Sequence, residues 1–509
     1  MRKWLPLLTI CTGTLMLLVD VTIVNVALPD MASGLDTTFS ALQWVVDIYA
    51  LVLAALLMSV GTLADRLGHR GTYVAGLALF ATSSAVCGLA TSSGLLIAGR
   101  GVQGLGAAAM FATTFALLNS SYQGKDRGTA YGMWGAVSGA AAAIGPIAGG
   151  LLTEHLSWRW IFFVNLPFAL AAIALCFRVL PADTDRRRTP TDVLGMLTFT
   201  TFAGTLTYAL IKANEDGWGA GVVLALLAVS VLALLAFVAI QARIPHPMLD
   251  LSLLRNGPFV GALVAGFVLT AGAFAYLTYA SIWMQSVLHM SPVEAGLASL
   301  PLAVTSFVTS ASIGRMLHGS RTWIAISAGI VLTGVGGLVV AAQLGEGADW
   351  KALMAGMAIS GVGVGLAAPT ISSTAMASVP IQRGGMAAGA VNTARQLGFA
   401  LGIAALGSVY AARISSTITD RGVPRADEVS DAVAGGQAAQ VIAHAPAGVR
   451  ASLESAVQAA SVDGLRATAL IAGFLGVAGG LVAAVLVRPR PEPEPQAPRS
   501  TDDVEASLA

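Results

Sequence analysis

Residues Gly135 to Gly150 read GAVSGAAAAIGPIAGG, sixteen positions without a charge, built almost wholly from glycine, alanine and serine, with a proline directly after Gly145. No soluble core would be made this way. In lipid, burying apolar surface drives nothing, so helices are held together by close van der Waals contact, and small residues permit it. Pro146 weakens one backbone bond at a defined height. The stretch reads as a membrane helix that packs closely and carries a bending point.

The rest of the chain agrees with that solvent. Of 509 residues, 56% are hydrophobic and 11% charged, against about 25% charged in an ordinary soluble domain, and mean hydropathy is +0.76. The chain is predicted to be an all-α polytopic membrane protein. Net charge is +1, from 28 basic and 27 acidic residues, so the polybasic face that nucleic-acid binding requires is missing. Cys11, Cys87 and Cys176 fall inside apolar runs with no paired spacing. Met1-Arg2-Lys3 precedes an apolar run that Asp20 interrupts, with no A-x-A site after it, so it reads as an uncleaved first helix rather than a signal peptide.

A span needs roughly 20 apolar residues. On that rule the chain divides into fourteen: 5–28, 41–60, 72–92, 94–117, 129–152, 159–179, 193–212, 220–241, 258–284, 293–314, 322–343, 352–377, 386–411 and 464–487. An even count puts both termini on one side, and basic residues decide which. Eighteen of the 28 lie in the N-terminus, the even-to-odd loops and the tail, which predicts cytoplasmic termini in a cell membrane. The expected organisation is an N-terminal six-helix half (1–182), a cytoplasmic linker with two inserted helices (183–256) and a C-terminal six-helix half (257–487). The C-terminal half carries an outer loop (412–463) of short surface helices, and a disordered cytoplasmic tail (488–509) follows. A faint internal repeat fits two related halves: GTLADRLGHR at 61 is echoed by GRMLHGSR near 314, and GLGAAAMFATT at 104 by GVGLAAPTISST at 363, offsets of roughly 255 residues.

The loop Gly61-Thr-Leu-Ala-Asp65-Arg66-Leu-Gly68-His-Arg70 joins spans two and three. Its glycines permit a tight reversal, and Asp65 beside Arg66 and Arg70 offers ion pairs that must break if the helices move. This loop resembles the GxLaDrxGrk motif of the major facilitator superfamily, which gates the cytoplasmic side of those transporters. LVDVTIVNVALP closing span one (Asp20, Asn25) and Gly145-Pro146-Ile-Ala-Gly149-Gly150 closing span five look like motifs of the drug:proton antiporters. Trp158-Arg159-Trp160-Ile-Phe-Phe-Val-Asn165-Leu-Pro167 is similar to a signature of their fourteen-span branch, and also reads as an aromatic belt at the outer interface. The resemblance, to the EmrB and QacA type of multidrug efflux protein, implies a major facilitator fold with spans arranged as 6+2+6. It also implies proton-coupled export of hydrophobic, often cationic compounds by alternating access.

Ionisable groups inside spans are costly and are functional candidates. At a rise of about 1.5 Å per residue, Asp20 sits about 22 Å up a core of about 30 Å, and Arg100, Asp47 and Pro146 lie within about 10 Å of the same surface. Asp20 is the expected proton carrier: burial raises a carboxylic acid's pKa, a cation such as Arg100 lowers it, and a moving helix switches between the two. The resemblance also assigns coupling to the first-span aspartate, and the competing reading is a structural Asp20–Arg100 pair that never titrates. Trp44, Asp47 and Tyr49 in QWVVDIY read either as a charge-and-ring site for a cationic aromatic substrate or as an outer-edge anchor. Arg395 suits either an anionic substrate or a carboxylate partner.

Other leads fail on context. Gly363-Val-Gly365-Leu-Ala-Ala368 matches GxGxxA without a preceding strand, Gly124-Lys125 lacks the glycine of a P-loop, and His69, His155, His246, His289, His318 and His444 are scattered. No catalytic set, metal or cofactor is expected, and the partners expected are small hydrophobic molecules, protons and the bilayer, for a monomer. Two alternatives stay open: a dedicated exporter of one metabolite, lipid or self-made antibiotic, and a transport-dead membrane sensor or scaffold.

Overall fold

The computed structural model describes residues 2–37, 39–181, 192–313, 322–345, 347–380, 384–446 and 448–488. The predicted echo GRMLHGSR, the arginine-rich segment 183–188 and the tail beyond Arg488 lie outside them. Among the described residues there are helices and no strand. The first seven are α1 (Leu5–Leu35), α2 (Phe39–Leu67), α3 (His69–Gly88), α4 (Ser93–Ser121), α5 (Gly124–His155), α6 (Trp160–Phe163) and α7 (Asn165–Val179). Two follow alone, α8 (Val193–Asp216) and α9 (Gly221–Gln241). Then come α10 (Gly257–Ala273), α11 (Ala275–Ser286), α12 (Pro292–Ala298), α13 (Leu300–Ile313), α14 (Thr322–Gln343), α15 (Met354–Ala377) and α16 (Gly384–Asp420). The last are α17 (Ala426–Ala434), α18 (Ala438–His444) and α19 (Arg450–Val487).

Among the described residues twelve stretches are long and apolar enough to cross a membrane. Two of the fourteen predicted spans are not among them. One of them is α5, which holds the opening stretch and at 32 residues is long enough to cross a core of about 30 Å. The α12–α13 segment is broken at Ser299, leaving an apolar helix of only Leu300–Ser312. The peripheral α9 displays Leu224, Val231, Leu232 and Leu235 outward, as a lipid-facing surface does.

The helix pairings repeat. In the first half α1 packs on α5, α3 on α4, α2 on α4, and α7 on α3 and α1; in the second α10 packs on α16, α14 on α15, α13 on α15, and α19 on α14 and α10. Glycines make the matching contacts. A Cβ on Gly76 would stand 2.9 Å from the Gly106 carbonyl oxygen, and one on Gly329 would stand 2.7 Å from that of Gly363. The α3–α4 and α14–α15 pairs thus approach each other in the same way, glycine against backbone. Close approach is not special to the 135–150 helix: α14 turns Gly329 and Gly336 to α15, and Gly334 and Gly337 to α19. Gly76→Ala is expected to destabilise the purified protein by about 1–3 kcal/mol, because an added methyl here has backbone on two sides. A fall in its thermal midpoint checks this.

Across the halves α2 packs on α16 and α5 on α12 and α13. α8 lies against both α2 and α16, with the Thr200 hydroxyl donating to the Ala55 carbonyl at 3.3 Å and Trp44 against Tyr208 at 5.3 Å. Asp192 caps α8 through Gly195 N–H and accepts from the Gln241 amide at 2.5 Å and from Met248 N–H, so the inserted pair is tied to the segment leading into the second half.

The 412–463 region holds the short helices α17 and α18 between the far ends of α16 and α19. α16 and α19 have 37 and 38 residues, about 56 Å each at 1.5 Å per residue, so both run well past a core of about 30 Å. Val433, Ala438 and Val457 are buried with Tyr410, Ile414 and Ile418. The result is a packed cap.

Candidate functional site

Asp20 and Arg100 are brought into contact, at 0% and 1% exposure. Arg100 Nη1 donates to Asp20 Oδ2 at 2.5 Å and to Gln103 Oε1 at 2.8 Å, and its Nε donates to the Val45 carbonyl at 3.0 Å. The other carboxylate oxygen accepts from Gln103 Nε2 at 3.0 Å and from Asn165 Nδ2 at 3.1 Å. Ser84 accepts from the same two amides and donates to the Phe162 carbonyl. Five helices, α1, α2, α4, α3 and α7, thus supply one closed ring around a single carboxylate. Among the described residues Arg100, Gln103 and Asn165 all donate to Asp20, satisfying a buried group that would otherwise be very costly.

Sequence reasoning found the pair and missed most of the ring. Asn165 stood within a quoted motif without a role, and Gln103 had one available signal, its place three residues after Arg100 on the same helix face. Tyr49 is corrected in position: its ring lies 4.2 Å from the Arg100 guanidinium, so it is a wall of the ion-pair chamber. Asp47 is buried with Oδ2 lacking a hydrogen-bond partner, and Trp44 lies against α8. Trp158, expected in an interfacial belt, is buried instead, stacked under Arg159 at 4.3 Å, while Trp160 stays exposed.

Between the halves lies a cavity of about 190 Å³, lined by α1, α4, α5, α10, α11, α12, α13 and α16. From α1 it receives Leu18, Thr22 and Asn25. Asp20 is on the other side of that helix, roughly 160° from Thr22 at about 100° per residue. Trp44, Asp47 and Tyr49 are not in the cavity wall; Arg395 is.

The opening stretch joins these features. A Cβ on Gly145 would overlap the Thr22 hydroxyl, and one on Gly149 would stand 2.9 Å from the Ile23 carbonyl oxygen, so α5 lies in backbone contact with α1 one turn beyond Asp20. Gly150 is buried beside them. Pro146 lines the cavity, and Gly296 of α12 approaches its carbonyl carbon to 3.0 Å, measured from the position of an added Cβ.

At the other end of α2, Gly68 adopts φ 105 at the start of α3, a conformation that a side chain would strain. Asp65 pairs with His69 at 3.4 Å. Arg70 donates to the Phe177 carbonyl at 3.0 Å and covers the Phe177 ring, fixing α3 to the end of α7. Gly61 faces Ala112 of α4, and Arg66 sits in the last turn of α2.

A sequence profile of the Major Facilitator Superfamily matches residues 10–403. The chain belongs to the major facilitator superfamily. It is 33% identical over 424 residues to the multidrug resistance protein Stp of Mycobacterium tuberculosis, covering 82% of this chain and 79% of that one. It is 32% identical to the multidrug efflux pump LfrA of Mycolicibacterium smegmatis over 490 residues, 96% of this chain and 97% of the other. The puromycin resistance protein pur8 of Streptomyces alboniger is 35% identical over 447 residues, 85% of this chain and 87% of that protein. The fold is shared with the crystal structure of the human organic anion transporter MFSD10, at TM-score 0.58 and 15% identity over 93% of this chain and 99% of that one. The chain is accordingly a multi-pass membrane transporter of the superfamily, and these relatives are named for multidrug resistance, multidrug efflux and puromycin resistance.

Asn165→Leu is expected to lower thermal stability by about 1–3 kcal/mol, because it removes a donor from a buried carboxylate. The midpoint of purified protein measures it, with Gln103→Leu giving a similar loss.

Proposed function

We propose that this chain is a proton-coupled exporter of hydrophobic, drug-like compounds that works by alternating access. The observation that carries the reading is the position of Asp20: it is sealed in a ring of donors on the back of α1, whose front lines the cavity between the halves. An O–H formed on Asp20 would point at a donor, so binding a proton requires the ring to rearrange. Rearrangement of the ring moves α1, and α1 is a wall of the cavity. Antiport needs this reciprocity, since substrate and proton each lower the other's affinity.

In this reading Gly61, Asp65, Arg66, Gly68 and Arg70 form the cytoplasmic gate, and Gly145, Pro146, Gly149 and Gly150 hold α5 against α1 and the second half. The repeated pairings support six spans on either side of the α8–α9 insert, making fourteen with α5 and α12–α13 counted. The basic residues support cytoplasmic termini. The protein acts as a monomer.

The test is accumulation of a panel of dyes and antibiotics, including puromycin, in an efflux-deficient host, with and without a protonophore. Several compounds are expected to be kept out of energised cells and to enter together on uncoupling. Export of one compound alone would favour the dedicated exporter, and export unaffected by the protonophore would contradict proton coupling.

A further inference from the structure

The charges in the wall of the central cavity are of one sign. Among the described residues lining it there is one ionisable side chain, Arg395 of α16, and no carboxylate. The same arginine also lines a smaller cavity of about 50 Å³ beneath, with Ser138, Ser306 and Ser310. Its guanidinium has no hydrogen bond or ion pair among the described residues, only its backbone carbonyl being engaged, by the Thr270 hydroxyl. Gly266 makes room for its stem: a Cβ there would lie 3.0 Å from Arg395 Cγ. Nearby, Asn25 and Asn392 line the same space, and the amide oxygen of each is buried without a partner. Apolar bulk completes the wall, from Phe111, Phe274, Leu277 and Phe399.

We propose that the cavity takes amphipathic organic anions: an apolar, ring-bearing body against the phenylalanines, a carboxylate or sulfonate on Arg395, and a hydroxyl or N–H of the body donating to the asparagine amide oxygens. A half-buried arginine in a mostly apolar wall has its charge unpaired there, and an anionic ligand supplies a charge-assisted, two-pronged partner. A cation entering the same space would meet the guanidinium with no acid to offset it. The Asp20 carboxylate cannot serve, because it faces the other side of α1 and its oxygens are occupied by Arg100, Gln103 and Asn165. The sign is opposite to the cationic class that Asp47 suggested from sequence, and Asp47 is not in this wall. The proposal rests on the export reading for its purpose, but the binding itself does not depend on proton coupling.

The experiment uses the purified full chain in detergent and three probes with one body: 1-pyrenebutyrate, 1-pyrenebutanol and (1-pyrenebutyl)trimethylammonium, with binding read by fluorescence anisotropy in the absence of any gradient. The butyrate is expected to bind at least about tenfold more tightly than the ammonium probe. Arg395→Gln should erase that preference while leaving butanol binding within about threefold, and Arg395→Lys should restore part of it. Ammonium bound as tightly as butyrate by the wild-type protein, no binding of any probe, or an unchanged preference in Arg395→Gln would overturn the proposal. Wild-type comparison alone decides the first two, whatever the variants' yield. Loss of protonophore-sensitive export with the anion preference intact would instead sink the coupling reading and leave this one standing.

Discussion

Asp20→Asn is expected to reduce export against a gradient to simple equilibration. Each proton crossing 100 mV is worth about 2.3 kcal/mol, which sustains roughly a fortyfold gradient of a neutral substrate. The variant should hold none, giving an inside-to-outside ratio near one, with the compound still exchanging across the membrane. Asparagine keeps the shape of the side chain and removes the titrating group. It also leaves Arg100 buried without a counter-charge, and breaking such a pair costs about 3–5 kcal/mol. Stability and coupling are separated by a second variant: Asp20→Asn with Arg100→Gln removes both charges, and it should recover most of the thermal midpoint without recovering uphill export. Full export by the double variant would mean that the pair is only structural.

Gly145→Leu is expected to be nearly as severe. The position has no room for even a methyl group, because the Thr22 hydroxyl occupies it and the Val19 carbonyl oxygen stands 3.2 Å away. Leucine must therefore push α5 off α1, moving Pro146 out of the cavity wall and away from Gly296. Loss of more than about nine-tenths of export is expected at a surface expression within twofold of wild type. Gly145→Ala should show a graded version, about 1–3 kcal/mol of overpacking, and Thr22→Ala should relieve it by removing the nearest atom. A double-mutant cycle on export and midpoint measures that relief. Additive losses would show that the contact does not matter.

Much of this architecture was legible because the bilayer constrains sequence so strongly. Apolar runs, their basic loops and the Gly-Asp-Arg loop at 61–70 follow from the need to satisfy every backbone group within lipid and to turn sharply between helices. The Asp20–Arg100 pair was legible for a related reason: two charges at one depth in separate spans are too costly to leave apart. What failed is side-chain direction. Depth fixes how far along a helix Asp47 and Tyr49 lie and leaves open which neighbour they face, so neither the substrate reading nor the outer-edge reading of Tyr49 anticipated its contact with Arg100. Gln103, Ser84 and Asn165 are neutral, and neutral polar residues are common enough in spans that none announces a site. Arg395 was noticed, but its choice between substrate and carboxylate needed the cavity wall. In 412–463 the short helices were legible, but alanine-rich, mixed-charge sequence does not reveal that α16 and α19 also continue into it.

The central claim is that the Asp20 carboxylate exchanges its proton for the exported compound. It is tested most directly by adding the best-exported compound of the efflux panel to purified protein in weakly buffered solution and following released protons with a pH-sensitive dye. Wild-type protein should release protons in proportion to the compound bound, and Asp20→Asn, binding the same compound, should release none. Equal release from Asp20→Asn would contradict the account and move the proton site elsewhere in the chain.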